Sequence, residues 1–130
     1  MKPLSSEWVS KAEGDFATAS REIRVRKEPK FDAVCFHAQQ CAEKYLKALL
    51  QEAEVQFGRT YHLIALLDLL VSNFPSWELL RPQLQNLNAY SVSIRYPGES
   101  ADKTAAREAL NLAASIREEA HKTLGIQTPN

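Results

Sequence analysis

Arg95-Tyr96-Pro97 brings a guanidinium, an aromatic phenol and a ring-locked backbone together where no helical pattern runs. An arginine can clamp a phosphate through two parallel N–H donors, and a tyrosine offers stacking surface and a hydroxyl. Pro97 biases Tyr96 toward an extended backbone, which helps to aim its ring. The competing role for Arg95 is structural, tying its loop to Asp15 or to a carbonyl. A second group, Gln39-Gln40-x-x-Glu43-Lys44-x-x-Lys47, sets amides and cations in the middle of a long helical pattern. On spacing alone Glu43 and Lys47 form an i,i+4 pair on a solvated face, worth roughly 0.3–0.5 kcal/mol. Alternatively, Lys44 and Gln40 face the same groove as Arg95. Asp15 falls about 60° from the middle of an apolar stripe, so it needs a partner, because an unpaired buried charge is very costly. Arg95 and Lys44 are the two candidates for that partner.

Other chemistries find less support. His37 and Cys41 share a helical flank, but zinc needs four convergent ligands or three plus water, and no Cys-x2-Cys or His-Glu-x2-His spacing supplies the rest. We expect no metal and no cofactor. There is no Gly-x-Ser-x-Gly and no glycine-rich phosphate loop. Cys41 sits mid-helix, away from any N-terminal dipole that would lower its pKa. Glu118 and Glu119 are adjacent, so they point apart on a solvated face. Arg21, Arg24, Arg26, Lys27 and Lys30 form a basic run read as cations favoured at a helix C-terminus, with a phosphate-binding patch as the alternative.

The elements that must position these groups are helical throughout. A first helix spans about residues 6–27, with Trp8, Ala12, Phe16, Ala19 and Ile23 on one stripe. The second, about 31–54, puts Phe31, Cys35, Ala38, Ala42, Tyr45, Leu46 and Leu49 on one side and Gln40, Glu43, Lys44, Lys47 and Gln51 on the other. A third covers about 63–72, and Ser76 is a candidate N-cap for a fourth over 77–90. Pro82 either starts the main part of that fourth helix after a short turn or kinks it. Residues 91–102 read as the principal loop. The last helix, about 104–124, is capped by Thr104 or Asp102 and stopped by Gly125. Its stripe of Ala106, Ala109, Ala113, Ile116, Ala120 and Leu124 permits close helix approach, including across a subunit interface. The expectation is an all-α, up-and-down bundle of four main helices plus one short helix, with sequential neighbours antiparallel.

The chain has 130 residues, which argues for one domain over 1–130 with a core at about 6–124 and loose termini. Sixteen basic residues balance sixteen acidic ones, which excludes a non-specific nucleic-acid coat but not a local basic site. Cys35 and Cys41 lie about 1.7 helical turns apart, too divergent to bridge easily, and free thiols suit a reducing compartment. No apolar leader and no long apolar stretch occurs, so we expect a cytoplasmic protein without a membrane partner.

Taken in order, these features resemble the HEPN family of helical domains. The resemblance rests on Trp8 and Asp15, the run Phe36-His37-Ala38-Gln39-Gln40-Cys41-Ala42-Glu43-Lys44-Tyr45-Leu46-Lys47-Ala48-Leu49-Leu50, Tyr61-His62-Leu63, and Arg95-Tyr96-Pro97. It implies a bundle, commonly dimeric, that binds nucleotides or RNA. Small members often act with a minimal nucleotidyltransferase in toxin–antitoxin-like modules. Many are metal-independent endoribonucleases with an Arg-x(4–6)-His motif, in which Arg stabilises phosphate charge and His transfers protons. Here the permitted His positions after Arg95 hold Ser100, Ala101 and Asp102. Arg59 precedes His62 too closely, and Arg117 with His121 is a near miss on the last helix. Binding without catalysis is therefore the expectation, with Arg95 and Tyr96 on the ligand, Lys44 and Gln40 in the same groove, and Asp15, Glu43 and Lys47 in support. The alternatives are an endoribonuclease toxin using Arg95 with Tyr96 or Asp102, and a module that only docks a protein partner.

Overall fold

The computed structural model describes residues 1–93 and 96–129, with backbone alone for 91–93. Among the described residues five α-helices follow in order: α1 (Pro3–Glu22), α2 (Phe31–Glu52), α3 (Leu63–Leu70), α4 (Arg81–Ser93) and α5 (Lys103–Leu124). A 3₁₀ turn, Pro75–Leu80, precedes α4. No strand occurs among the described residues, and no described helix is long and apolar enough to cross a membrane. The architecture is the all-α bundle expected, with α3 as the short helix.

Side-chain ties fix the directions. Lys2 reaches Glu52 and Glu54, which sets the start of α1 against the end of α2. Arg81 pairs with Asp68, and the Leu63 N–H donates to Asn88, so α3 and α4 run antiparallel. Tyr90, toward the end of α4, bonds Glu108, while Trp77, in the turn that leads into α4, bonds Thr123, so α4 and α5 are antiparallel too. The Ala101 N–H donates to Asp32, and Tyr45 meets His121, leaving α2 and α5 parallel. Helix α3 therefore runs in the same sense as α2, which corrects the expected alternation at that step: the chain after α2 turns back to bring Tyr61 beside Gln39 before α3 begins.

Helix α2 is the axis of the bundle, packed against every other helix. Thirteen of its residues are buried, from Val34 through Leu50. This corrects the reading of its polar side as solvated, since Glu43 and Lys47 are only 6% and 8% exposed. Full burial of one leucine side chain contributes roughly 1.5–3 kcal/mol, so Leu46, Leu49 and Leu50 anchor the core.

Several ends differ from the sequence pattern. Helix α1 stops at Glu22, short of the expected end at about residue 27, so only Arg21 lies in its last turn. Arg24, Arg26, Lys27 and Lys30 fall in the connection, and helix-end stabilisation does not account for them. Ser76 lies inside the 3₁₀ turn, whose cap is Phe74 with no side-chain bond. Of the alternatives at Pro82, the short turn followed by a main helix is observed, and α4 continues to Ser93, shortening the loop. Asp102, rather than Thr104, caps α5 by accepting from the Ala105 N–H at 2.8 Å. Gly125, at φ +72°, takes the left-handed conformation that ends it.

Candidate functional site

Two polar clusters run along the seam between α1 and its neighbours. The first centres on Asp15, buried on α1. Its Oδ1 accepts from His37 Nδ1 at 2.7 Å, and its Oδ2 accepts from Lys44 Nζ at 2.5 Å. Of the two partners expected for Asp15, the structure supplies Lys44, whereas Arg95 lies outside the described residues. His37 turns toward this carboxylate instead of joining Cys41 at a metal. Among the described residues no three His, Cys, Asp or Glu side chains converge as an ion would require.

The second cluster joins three helices. Glu13 on α1 accepts two bonds from Arg117 on α5, from Nε at 2.7 Å and from Nη2 at 2.8 Å, and a third, very short bond from the Tyr45 hydroxyl on α2. Tyr45 Oη lies 2.6 Å from His121 Nε2, and His121 Nδ1 lies 2.8 Å from Thr128 Oγ1. One set of donor roles satisfies the chain. Thr128 donates to Nδ1, Nε2–H donates to the phenol, and the phenol donates to Glu13. A neutral imidazole fits this direction. Burial, aided by Arg117, lowers the His121 pKa against an opposing pull from Glu13. Burial would raise Glu13, but hydrogen bonds from Arg117 and Tyr45, with the charge of Arg117 and a smaller contribution from His121, outweigh it and hold the carboxyl below its usual range. Burial, then the bond to Glu13, pushes the Tyr45 phenol well up. Arg117 also covers the Phe16 ring at 4.6 Å.

The Gln-Gln-x-x-Glu-Lys stretch is internally satisfied. Gln39 Nε2 donates to the Tyr61 carbonyl at 2.8 Å, and its Oε1 accepts from Gln40 at 3.0 Å. Gln40 also approaches Glu43 at 3.4 Å, and Lys47 bonds Glu43 at 3.1 Å. The Lys47 ammonium sits 5.3 Å from the Trp8 ring centre, and Trp8 packs edge-on against Phe57. The expected i,i+4 pair is present, but Trp8 on α1 lies over Lys47, on the side the pattern leaves open to water.

The Arg95 loop supplies a different kind of surface. The Glu99 N–H donates to the Tyr96 carbonyl at 3.1 Å, closing a turn with Pro97 second and Gly98 third at φ +90°. That φ suits glycine and belongs to the type II turn, in which proline also favours the second position. Tyr96 stands 67% exposed at its start. Asp102, the carboxylate that an active enzyme would borrow, spends an oxygen on the α5 cap.

Of the residues singled out in the sequence, the structure brings Asp15 to Lys44 and Glu43 to Lys47, and leaves Tyr96 open. Glu13, Arg117 and His121 were missed in the sequence as one half-buried network. Arg117 and His121 flank the apolar stripe of α5 one turn apart, and a cation and an imidazole there require an acid opposite.

A model of the HEPN domain family matches residues 5–123. The fold is similar to that in the crystal structure of ST0689, an archaeal HEPN homologue, with a TM-score of 0.67 at 24% identity over 95% of this chain and 99% of that one. No curated protein matches the sequence. The family match takes in Asp15, the α2 run and the Tyr96 turn alike, and the axial α2 with α1 and α5 against it is the frame that carries them: the chain belongs to the HEPN domain family.

Proposed function

We propose that this protein binds the phosphate of a nucleotide or RNA without cleaving it, with Arg95 on the phosphate and Tyr96 stacking beside it. The observation that carries the reading is the Tyr96–Glu99 turn, which holds an aromatic ring in solvent next in sequence to an arginine. Base–aromatic stacking contributes roughly 1–3 kcal/mol per base, enough for an exposed tyrosine to matter. Lys44 and Gln40 would serve the same groove only by exchanging Asp15 and Glu43 for ligand, so they take the lesser role, with Asp15, Glu43 and Lys47 holding them.

Two features favour binding over catalysis. The Arg-x(4–6)-His motif has no histidine at its permitted positions after Arg95, and Asp102 is engaged as a cap. General acid–base transfer typically supplies 10²–10⁴ in rate, so its loss leaves little ribonuclease. HEPN domains commonly dimerise, and we place this one in the cytoplasm as a homodimer beside a minimal nucleotidyltransferase in a toxin–antitoxin-like module. The test is expression without that partner, combined with incubation of the purified protein and end-labelled RNA. Normal growth with retarded but intact RNA is the expected result. Growth arrest with RNA cleavage that vanishes in Arg95→Ala would make it an endoribonuclease, and co-purification of a nucleotidyltransferase with no ligand binding would make it a docking module.

A further inference from the structure

Where α1 stops and the chain turns into α2, a cleft of about 540 Å³ opens against the start of α5. Its charged lining is wholly cationic, with Arg24 and Arg26 from the connection and Lys103 and Arg107 one turn apart on α5. All four are exposed, and none makes an ion pair or side-chain hydrogen bond with another described residue. Elsewhere many charges are matched. Arg81 holds Asp68 and Glu78, Arg117 holds Glu13, Lys44 holds Asp15, and Lys47 holds Glu43. In a chain with no net charge, four unmatched cations around one concavity are a local excess. Such a cleft focuses positive potential and gathers anions. Asp102, next in sequence to Lys103, does not line it, and its carboxylate is turned to the α5 cap.

Apolar surface completes the cleft. Val25 lies between the two arginines and is 41% exposed, and Phe31 opens α2 at its edge, half-buried. Cations beside an apolar wall suit a nucleotide, which carries a phosphate and a stackable face on one unit. A protein partner would instead need a broad patch of roughly 800 Å² per side, a larger and flatter surface. We propose that this cleft is a phosphate site for a single-stranded RNA, with Arg24, Arg26, Lys103 and Arg107 on the backbone and a base against Val25 and Phe31. This rests on the reading of the protein as an RNA or nucleotide binder and extends it to a surface outside the Arg95 turn.

The test is fluorescence anisotropy of a short labelled single-stranded RNA across about 50–200 mM salt, with labelled ATP as a second probe. The proteins are wild type, Arg95→Ala, a quadruple Gln variant of the four cleft cations, and a control with Lys11→Gln and Arg59→Gln outside the cleft. Each phosphate contact on a single strand contributes about 0.7 to the slope of log affinity against log salt. The quadruple variant is therefore expected to lose up to about 3 in slope and on the order of 10²-fold in affinity near 0.1 M salt, with the control close to wild type. An unchanged slope in the quadruple variant while Arg95→Ala abolishes binding overturns the cleft and leaves the Arg95 reading standing. Loss in the quadruple variant with Arg95→Ala unaffected supports the cleft and overturns Arg95. A comparable loss in the control overturns the cleft in favour of diffuse charge. If ATP alone binds and loses affinity in the quadruple variant, the phosphate site stands but its source is free nucleotide, and RNA is overturned. No binding of either probe by wild type overturns both.

Discussion

Replacing Glu13 by alanine removes the acceptor at which three helices meet. Two bonds from Arg117 and one from Tyr45 are lost together. Arg117 is left with its side chain 13% exposed over the Phe16 ring and with no carboxylate. Breaking a fully buried pair costs about 3–5 kcal/mol, whereas an exposed pair is worth about 0–1. Glu13 is itself a third exposed, which moves the expectation to about 2–3 kcal/mol. For a chain of this length each kcal/mol lowers the melting temperature by roughly 4 °C, so a drop of about 8–12 °C is expected. Calorimetric melting of Glu13→Ala, Arg117→Ala and the double variant gives both the loss and the coupling. The double variant is expected to be less destabilised than the two singles added, by about 1–2 kcal/mol, because neither is left with an abandoned partner. A single-variant loss under about 0.5 kcal/mol, or strict additivity, would refute the reasoning and reduce the network to surface charge.

The same cluster sets a pH dependence. His121 and Glu13 both have folded pKa values below their ordinary 6.5 and 4.5, so the unfolded chain binds more protons in each window. Stability is full above the first value and falls as pH drops, first from 6.5 through the His121 step and then below 4.5 through the Glu13 step. Melting temperatures taken from about pH 8 down to about pH 2 should show both declines, and His121→Gln should flatten only the upper one. A His121→Gln profile parallel to wild type would contradict the assignment. Burial pushes the Cys35 thiol to about 11 and Cys41 higher still, so iodoacetamide should label neither until denaturant is added. Rapid labelling of native protein would mean that the α2 core opens. Gly98→Ala meets no steric obstacle but must hold φ +90°, so it should cost about 1–2 kcal/mol locally and weaken nucleotide binding with little change in melting of the bundle.

The helices were legible because apolar spacing of three and four residues reports which face turns inward, and because Pro29, Pro82 and Gly125 punctuate it. The partner of that face is not encoded in the period. Glu43 and Lys47 read as a surface pair because nothing in their own helix shows that Trp8 lies over them. Asp15 announced its need for a cation by standing near an apolar stripe, and Lys44 was one of the two candidates. Glu13 gave no such sign, since its partners come from α2 and α5, 32 and 104 residues away. The basic run after α1 was visible, but its meaning changed once the helix ended at Glu22 and Lys103 and Arg107 came alongside.

The proposed binding of a nucleotide or RNA turns on Arg95 meeting a phosphate beside the open Tyr96 ring. Isothermal titration of wild type and Arg95→Ala with a short single-stranded RNA and with ATP tests this directly. Loss of a charge-assisted phosphate contact is expected to weaken binding by about 1.5–3 kcal/mol, roughly 10- to 100-fold. Equal affinities of the two proteins for both ligands would contradict it.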